Sequence, residues 1–126
     1  MRWLLGVLAL AILSGGCVSS RGPEGQARAQ MREGVRSAQR SYWQEALFRF
    51  ERARDLEPSD GEVLNNLAVA LEALGRYDEA LAVYKQALKG PKKSSIVRKN
   101  YARFAEFYTS YAKGVKPKKE GGDANH

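Results

Sequence analysis

Cys17 is the only thiol in this chain, and His126, its last residue, is the only imidazole. A zinc-type site needs several Cys or His ligands at close spacing, so no such site can be assembled from these two. The histidine also falls in a polar terminal segment with nothing to hold it in place. Carboxylate pairs such as Asp78-Glu79 stand at the starts of helical patterns, where negative charge complements the helix dipole, and this accounts for them without acid–base catalysis. No Gly-rich phosphate loop and no nucleophile elbow occurs. The expectation is a protein that is not an enzyme and needs no cofactor. The one reactive side chain whose setting calls for an explanation is Cys17.

That setting is distinctive. Arg2 gives a small positive start, Trp3 to Leu13 form an apolar run broken only by Gly6, and the run ends at Ser14-Gly15-Gly16-Cys17. A spanning helix needs about 20 apolar residues, so this run has the length of a signal-peptide core instead. The Cys-terminated junction resembles the lipobox of bacterial lipoproteins, with Leu13 four residues before the cysteine and Ser14 at the position leucine usually takes. The resemblance implies cleavage after residue 16, a diacylglycerol on the Cys17 sulfur and an acyl group on its new amine. An ordinary secretory signal is the alternative. Each buried methylene adds about 0.8 kcal/mol, so several acyl chains would hold the protein to a membrane. Val18 stands where aspartate would direct retention in the inner membrane of enteric bacteria. The implied location is therefore the bacterial cell envelope, lipid-anchored, at the outer membrane facing the periplasm.

Residues 17–26 then read as a lipidated cysteine and a polar Gly/Pro tether. Residues 114–126, with Lys116, Lys118 and Lys119 among Gly, Pro and Asn, read as a basic, disordered tail. The full chain carries a formal charge of +7, and removal of residues 1–16 leaves 20 Lys plus Arg against 14 Asp plus Glu, about +6. Behind an export signal this excess points to anionic lipid headgroups or acidic partners and away from nucleic acid.

Between these ends the sequence repeats itself at 34 residues. Tyr42-Trp43-Gln44-Glu45-Ala46-Leu47 falls on Arg76-Tyr77-Asp78-Glu79-Ala80-Leu81, and Phe50 and Ala53 fall on Tyr84 and Ala87. A period of this length belongs to stacked helix–turn–helix units. Apolar spacing predicts five helices. Leu64, Leu67, Ala68, Leu71 and Leu74 mark one face of a helix that starts after the capping box Ser59-x-x-Glu62 and stops at Gly75. Ala80, Leu81, Tyr84, Ala87 and Leu88 mark the next, halted by Gly90-Pro91. Ala46, Leu47, Phe50 and Ala53 mark a helix from about residue 42. Ala27, Met31, Val35 and Ala38 mark a weaker one before it, and Ser94 or Ser95 caps a last one reaching about residue 113.

At these residues the chain resembles the tetratricopeptide repeat family. The unit 61–94 matches its packing pattern at Leu64, Leu67, Ala68, Leu71, Gly75, Tyr77, Ala80, Tyr84 and Ala87, with Pro91 one residue early. The unit 27–60 keeps Gly34, Trp43, Ala46, Phe50, Ala53 and Pro58 but has Gln30, Glu33 and Ser37 where apolar residues are usual, so its first helix is expected to be the loosest. Residues 95–113 amount to half a unit, with Arg98 out of pattern. The resemblance implies an all-α fold, a short solenoid of two repeats plus a terminal capping helix.

It also implies a groove lined by the first helix of each unit, which takes an extended peptide or a helix from a partner protein. Mapped here, the groove positions are Met31, Val35, Asn65, Asn66, Val69, Glu72, Lys99, Arg103 and Glu106. The version of the family that grips a C-terminal carboxylate is matched only at Asn66; Met31, Val35, Ile96 and Asn100 occupy its other clamp positions. On the last helix, Tyr101, Ala102, Ala105 and Tyr108 continue the inward face, and Val97, Phe104, Phe107 and Tyr111 form a second stripe about 100° round. Two readings stay open for that stripe. It packs on the preceding helix, or it is left uncovered as a surface for docking another protein or for self-association.

The reading that results is an adaptor for another envelope protein. Likeness to longer repeat lipoproteins suggests pilus or secretion-channel assembly, or recruitment of cell-wall enzymes. The alternative is a structural envelope lipoprotein whose basic tail contacts anionic lipid or cell-wall polymer, without a dedicated peptide ligand.

Overall fold

A computed structural model of the chain describes residues 22–91 and 94–114. Its described elements are five helices, α1 (Pro23–Gln39), α2 (Trp43–Leu56), α3 (Gly61–Ala73), α4 (Tyr77–Lys89) and α5 (Ser95–Ala112). α1 packs on α2 and α3 on α4 as two helical hairpins; α2 against α3 and α4 against α5 join them, and smaller contacts link α1 to α3 and α3 to α5. The all-α repeat architecture expected from the 34-residue period is the one observed. Cys17, the residues before it and the tail from residue 115 lie outside the described residues.

The helix ends follow from local chemistry. α1 begins at Pro23, four residues earlier than the tether boundary at 26 implied. Pro fits a first turn because its fixed φ suits a helix and its missing N–H has no partner there anyway, and Glu24 adds negative charge at the same end. At α3 the capping group is Asp60 and not Ser59: its Oδ1 accepts from the backbone N–H of Glu62 at 2.8 Å and of Val63 at 3.1 Å. Ser94 precedes α5 without a side-chain capping bond.

The repeat extends to backbone detail. α1 and α3 both end in left-handed residues 34 positions apart, Ser41 at φ 62° and Gly75 at φ 74°. In each turn the next N–H closes the same ring, Tyr42 to the Ser37 carbonyl and Arg76 to the Leu71 carbonyl, both at 2.9 Å. Glycine adopts this conformation without steric cost, whereas the Ser41 Cβ crowds its own carbonyl. Ser41→Gly is therefore expected to stabilise the domain by about 0.5–1 kcal/mol, the left-handed strain relieved less the extra entropy of an unfolded glycine. Thermal unfolding followed by circular dichroism should show a rise of a few degrees.

Alanines form the seams. Ala46, Ala53, Ala68, Ala70 and Ala80 have no exposed surface, and their small side chains let helix backbones approach while Leu47, Phe50, Leu64, Leu67, Leu71 and Tyr84 fill the space between. On α5 the structure decides half of the open choice and corrects the inward row. Val97 and Phe104 are 2% and 0% exposed and so pack inside, which removes them from any docking surface, whereas Ala102, expected on the inward face, is exposed. Val97 and Phe104 stand 34 residues after Val63 and Ala70, which are also buried. The Phe104 ring lies 5.3 Å from that of Tyr84 and 6.4 Å from that of Tyr77, centroid to centroid. The side of α5 that is open carries Arg98 and Ala102, the counterparts of Leu64 and Ala68 in α3. In α3 the equivalent row is covered by its own hairpin partner, α4. No sixth helix occurs among the described residues, so α5 meets the solvent with small and polar groups there and closes on α4 with its aromatics.

Candidate functional site

Three helix ends converge on an apolar cleft of about 450 Å3, lined by Trp43 at the start of α2, Val69, Glu72 and Ala73 on α3, Tyr77 at the start of α4, and Arg103 and Phe107 on α5. Its aromatic wall is continuous: the Tyr77 ring stands edge-on to those of Phe107 and Tyr111, each 4.9 Å away, and Phe107 stacks on Tyr111 at 6.1 Å. Edge-to-face pairs of this kind add about 0.5–1.5 kcal/mol beyond the area they bury.

The polar part of the cleft is fixed. Arg103 donates to both Glu72 carboxylate oxygens, at 2.8 and 3.2 Å, and the Tyr84 hydroxyl donates to Glu72 Oε2 at 3.1 Å. Glu72 is largely sheltered while much of Arg103 stays open, so the guanidinium keeps N–H groups for an incoming carbonyl or carboxylate. The hydrogen bond it donates to Glu72 holds the Arg103 pKa above its ordinary value. Burial, reinforced by the charge on Glu72, pushes the Tyr84 phenol above its usual range. The Tyr108 hydroxyl donates to Asp78, and that bond raises its pKa too.

A phenol whose pKa is higher folded than unfolded stabilises the fold fully below the unfolded value, near pH 10, and loses that contribution as pH climbs past it. Tyr84→Phe keeps the ring and leaves Glu72 bonded to Arg103. The expected result is a cost of about 1 kcal/mol at neutral pH, from one hydrogen bond, and a shallower loss of stability above about pH 10. Urea denaturation at several alkaline pH values measures both.

The groove positions read from the sequence are thus brought together in part. Val69, Glu72 and Arg103 share the cleft. Met31 and Val35 lie in a separate depression between α1 and α3 with Arg32, Arg36 and Glu62. Asn65 is a structural residue: it is 5% exposed and its side-chain oxygen accepts from Asn100 at 3.0 Å, while its amide donates to Asn66 at 3.4 Å. Lys99 and Glu106 are exposed on α5 and line none of these clefts. Of the stripe residues, Phe107 lines the cleft and Tyr111, 49% exposed, stacks at its edge. Trp43 and Tyr77 were not among the groove positions, although Trp43, Tyr77 and Tyr111 follow one another at the repeat length. That period was their signal.

Two helical hairpins and a closing half hairpin, with one 34-residue equivalence running through turns, core and cleft, define a helical-repeat scaffold. The sequence profile of the tetratricopeptide repeat matches residues 37–104, more than half of the chain, and the protein belongs to that family. No curated protein matches it. Repeats of this family point to a role in protein–protein interaction and to a protein as partner.

Proposed function

We propose that the protein is a lipid-anchored adaptor of the bacterial envelope, which takes a segment of another envelope protein in the cleft between α3 and α5. The observation that carries this is the cleft itself, an aromatic and aliphatic trough with a fixed ion pair at its side, in a domain of an interaction family. A volume of about 450 Å3 lies within the usual range for recognition pockets, about 300–1,000 Å3. An apolar side chain of an extended or helical segment would rest against Trp43, Tyr77 and Phe107, and a backbone carbonyl or carboxylate of the same segment would meet Arg103. The domain holds its partner and carries out no reaction on it, needs no cofactor and takes no nucleic acid.

The anchor rests on the sequence alone, on the apolar run ending at Ser14-Gly15-Gly16-Cys17. With Val18 after the cysteine where aspartate would favour the inner membrane, the reading favours the periplasmic face of the outer membrane, where assembly of a pilus, secretion or cell-wall complex is a fitting task. Cells fed labelled palmitate should yield a labelled protein, and globomycin should leave its precursor uncleaved. Cys17→Ala should remove the label and release the protein from membranes. Label retained in the Cys17→Ala protein, or processing that ignores globomycin, would contradict the anchor.

A further inference from the structure

The amino-terminal end of the solenoid carries a second surface. Arg28, Arg32, Arg36 and Arg40 recur every four residues along α1 and its end, and all four are exposed. Each step of four advances about 40° round a helix, so their heads spread over one side of roughly 120°. That side faces away from the buried Ala27 and Gly34. It is also the side that inner units use for stacking. Glu33, Arg36 and Arg40 stand 34 residues before Leu67, Ala70 and Leu74, of which Leu67 and Ala70 are wholly buried. A further hairpin therefore cannot stack here without burying charge, and the end is built for a polar neighbour.

Arg28 is paired with Glu24 and Arg36 with Glu33. Arg32 and Arg40 have no carboxylate within salt-bridge distance among the described residues. The row thus carries two arginines beyond its ion-paired carboxylates, with Glu57, Asp60 and Glu62 bordering it only on the side of Arg28, Arg32 and Arg36. Its chain position matters as much. α1 begins at Pro23, six residues after Cys17, and six residues span at most about 20 Å fully extended. If Cys17 holds the chain to a bilayer, α1 is the first folded element above it.

We infer that the arginine row of α1 rests on anionic phospholipid headgroups, so that the anchor and α1 together fix how the solenoid stands on the membrane. This builds on the lipid-anchored reading above. Guanidinium groups suit the role because they bond phosphate oxygens in pairs and shed water more readily than ammonium groups. Each arginine close to an anionic surface strengthens association about fivefold, so removing three should weaken it on the order of a hundredfold. The cleft lined by Trp43, Tyr77 and Phe107 lies beyond α1 along the stack and stays open to its partner.

The test uses the full acylated chain reconstituted in nanodiscs of phosphatidylcholine, with or without phosphatidylglycerol. Acylation blocks Cys17, so a cysteine placed by Gln39→Cys, or in a second protein by Ala102→Cys, is the only reactive thiol and takes a fluorophore. Energy transfer to a headgroup dye is expected to be several-fold greater from position 39 than from position 102 when phosphatidylglycerol is present. The difference should fall away in phosphatidylcholine alone and in Arg32→Gln/Arg36→Gln/Arg40→Gln, which keeps its helical circular dichroism. A difference that is the same in both lipids, or that survives the triple substitution, overturns the proposal. A second arm separates it from the anchor. The Cys17→Ser chain should co-sediment with phosphatidylglycerol vesicles far more than its triple variant at low salt and lose that margin as salt is raised. Equal sedimentation of the two overturns the arginine row whatever palmitate labelling shows, and absent palmitate label with a preserved margin overturns the anchor alone.

Discussion

Phe104→Ala is expected to destabilise the domain by about 3–5 kcal/mol, the usual cost of removing a buried aromatic ring from a core. Folded domains are stable by only about 5–15 kcal/mol in all, with small ones at the low end. The substitution should therefore lower the melting temperature by well over 10 °C, or leave the chain partly unfolded at 37 °C. Phe104 is 0% exposed and sits among the rings of Tyr77, Tyr84, Phe107 and Tyr108, so its loss opens a void inside this aromatic cluster of the α4–α5 seam. Tyr111→Ala is the control. It removes a side chain of the same stripe that is 49% exposed, and should cost about 1 kcal/mol or less. If the stripe were a docking surface, both substitutions would leave unfolding unchanged and weaken assembly. Urea unfolding of the two proteins decides between these outcomes.

The second large effect lies at the other end of the stack. Phe50 is 2% exposed, and its ring presses on Gly34 of α1: a Cβ at that glycine would fall 2.7 Å from Phe50 Cδ1 and 3.0 Å from Cζ. Phe50→Ala should cost about 3–5 kcal/mol by opening the α1–α2 seam. Gly34→Ala combines two opposed terms. Alanine favours a helix by about 1 kcal/mol over glycine, and forcing a methyl into a filled core costs about 1–3 kcal/mol. The clash should win, with a net loss of about 1–2 kcal/mol. The pair must then be non-additive: in the Phe50→Leu background, where the ring is gone, Gly34→Ala should become neutral or stabilising. A Gly34→Ala penalty of equal size in both backgrounds would show that the ring and the glycine do not meet.

Most of the scaffold was legible because its information is periodic. Ala80 and Tyr84 repeat Ala46 and Phe50, and a residue type recurring at a fixed offset reports both a helix and the neighbour it packs on. The left-handed turn residue was visible at Gly75, where glycine marks it, and hidden at Ser41, where only the repeat offset does. On α5 spacing alone could not choose between the two readings of the stripe, for a definite reason. Its aromatic stripe and its Tyr101/Ala102 row lie about 100° apart on one helix, and which of them is covered depends on which neighbouring helices exist, a tertiary fact. Arg98 in place of a leucine was the local hint that the row is not covered along its whole length: Arg98 and Ala102 are exposed, while Tyr101 packs against Tyr84. Within the site, Glu72 and Arg103 were legible as polar residues of one groove, whereas their bond to each other, and that of Asn65 to Asn100, joins residues 31 and 35 positions apart. Pairings at that distance leave no mark in spacing. Trp43 and Tyr77 were passed over because aromatic residues at helix starts read first as packing.

If the cleft holds a partner protein as proposed, photocrosslinking in intact cells should capture it there. A photoreactive amino acid would replace Val69 inside the cleft, and in a second strain Lys85, exposed on α4. Position 69 should give a discrete adduct with another envelope protein, lost when Arg103→Glu reverses the charge beside the cleft, while position 85 gives none of that adduct. An adduct common to both positions, or position 69 bare while position 85 is crosslinked, would place the partner outside the cleft and overturn the proposed site.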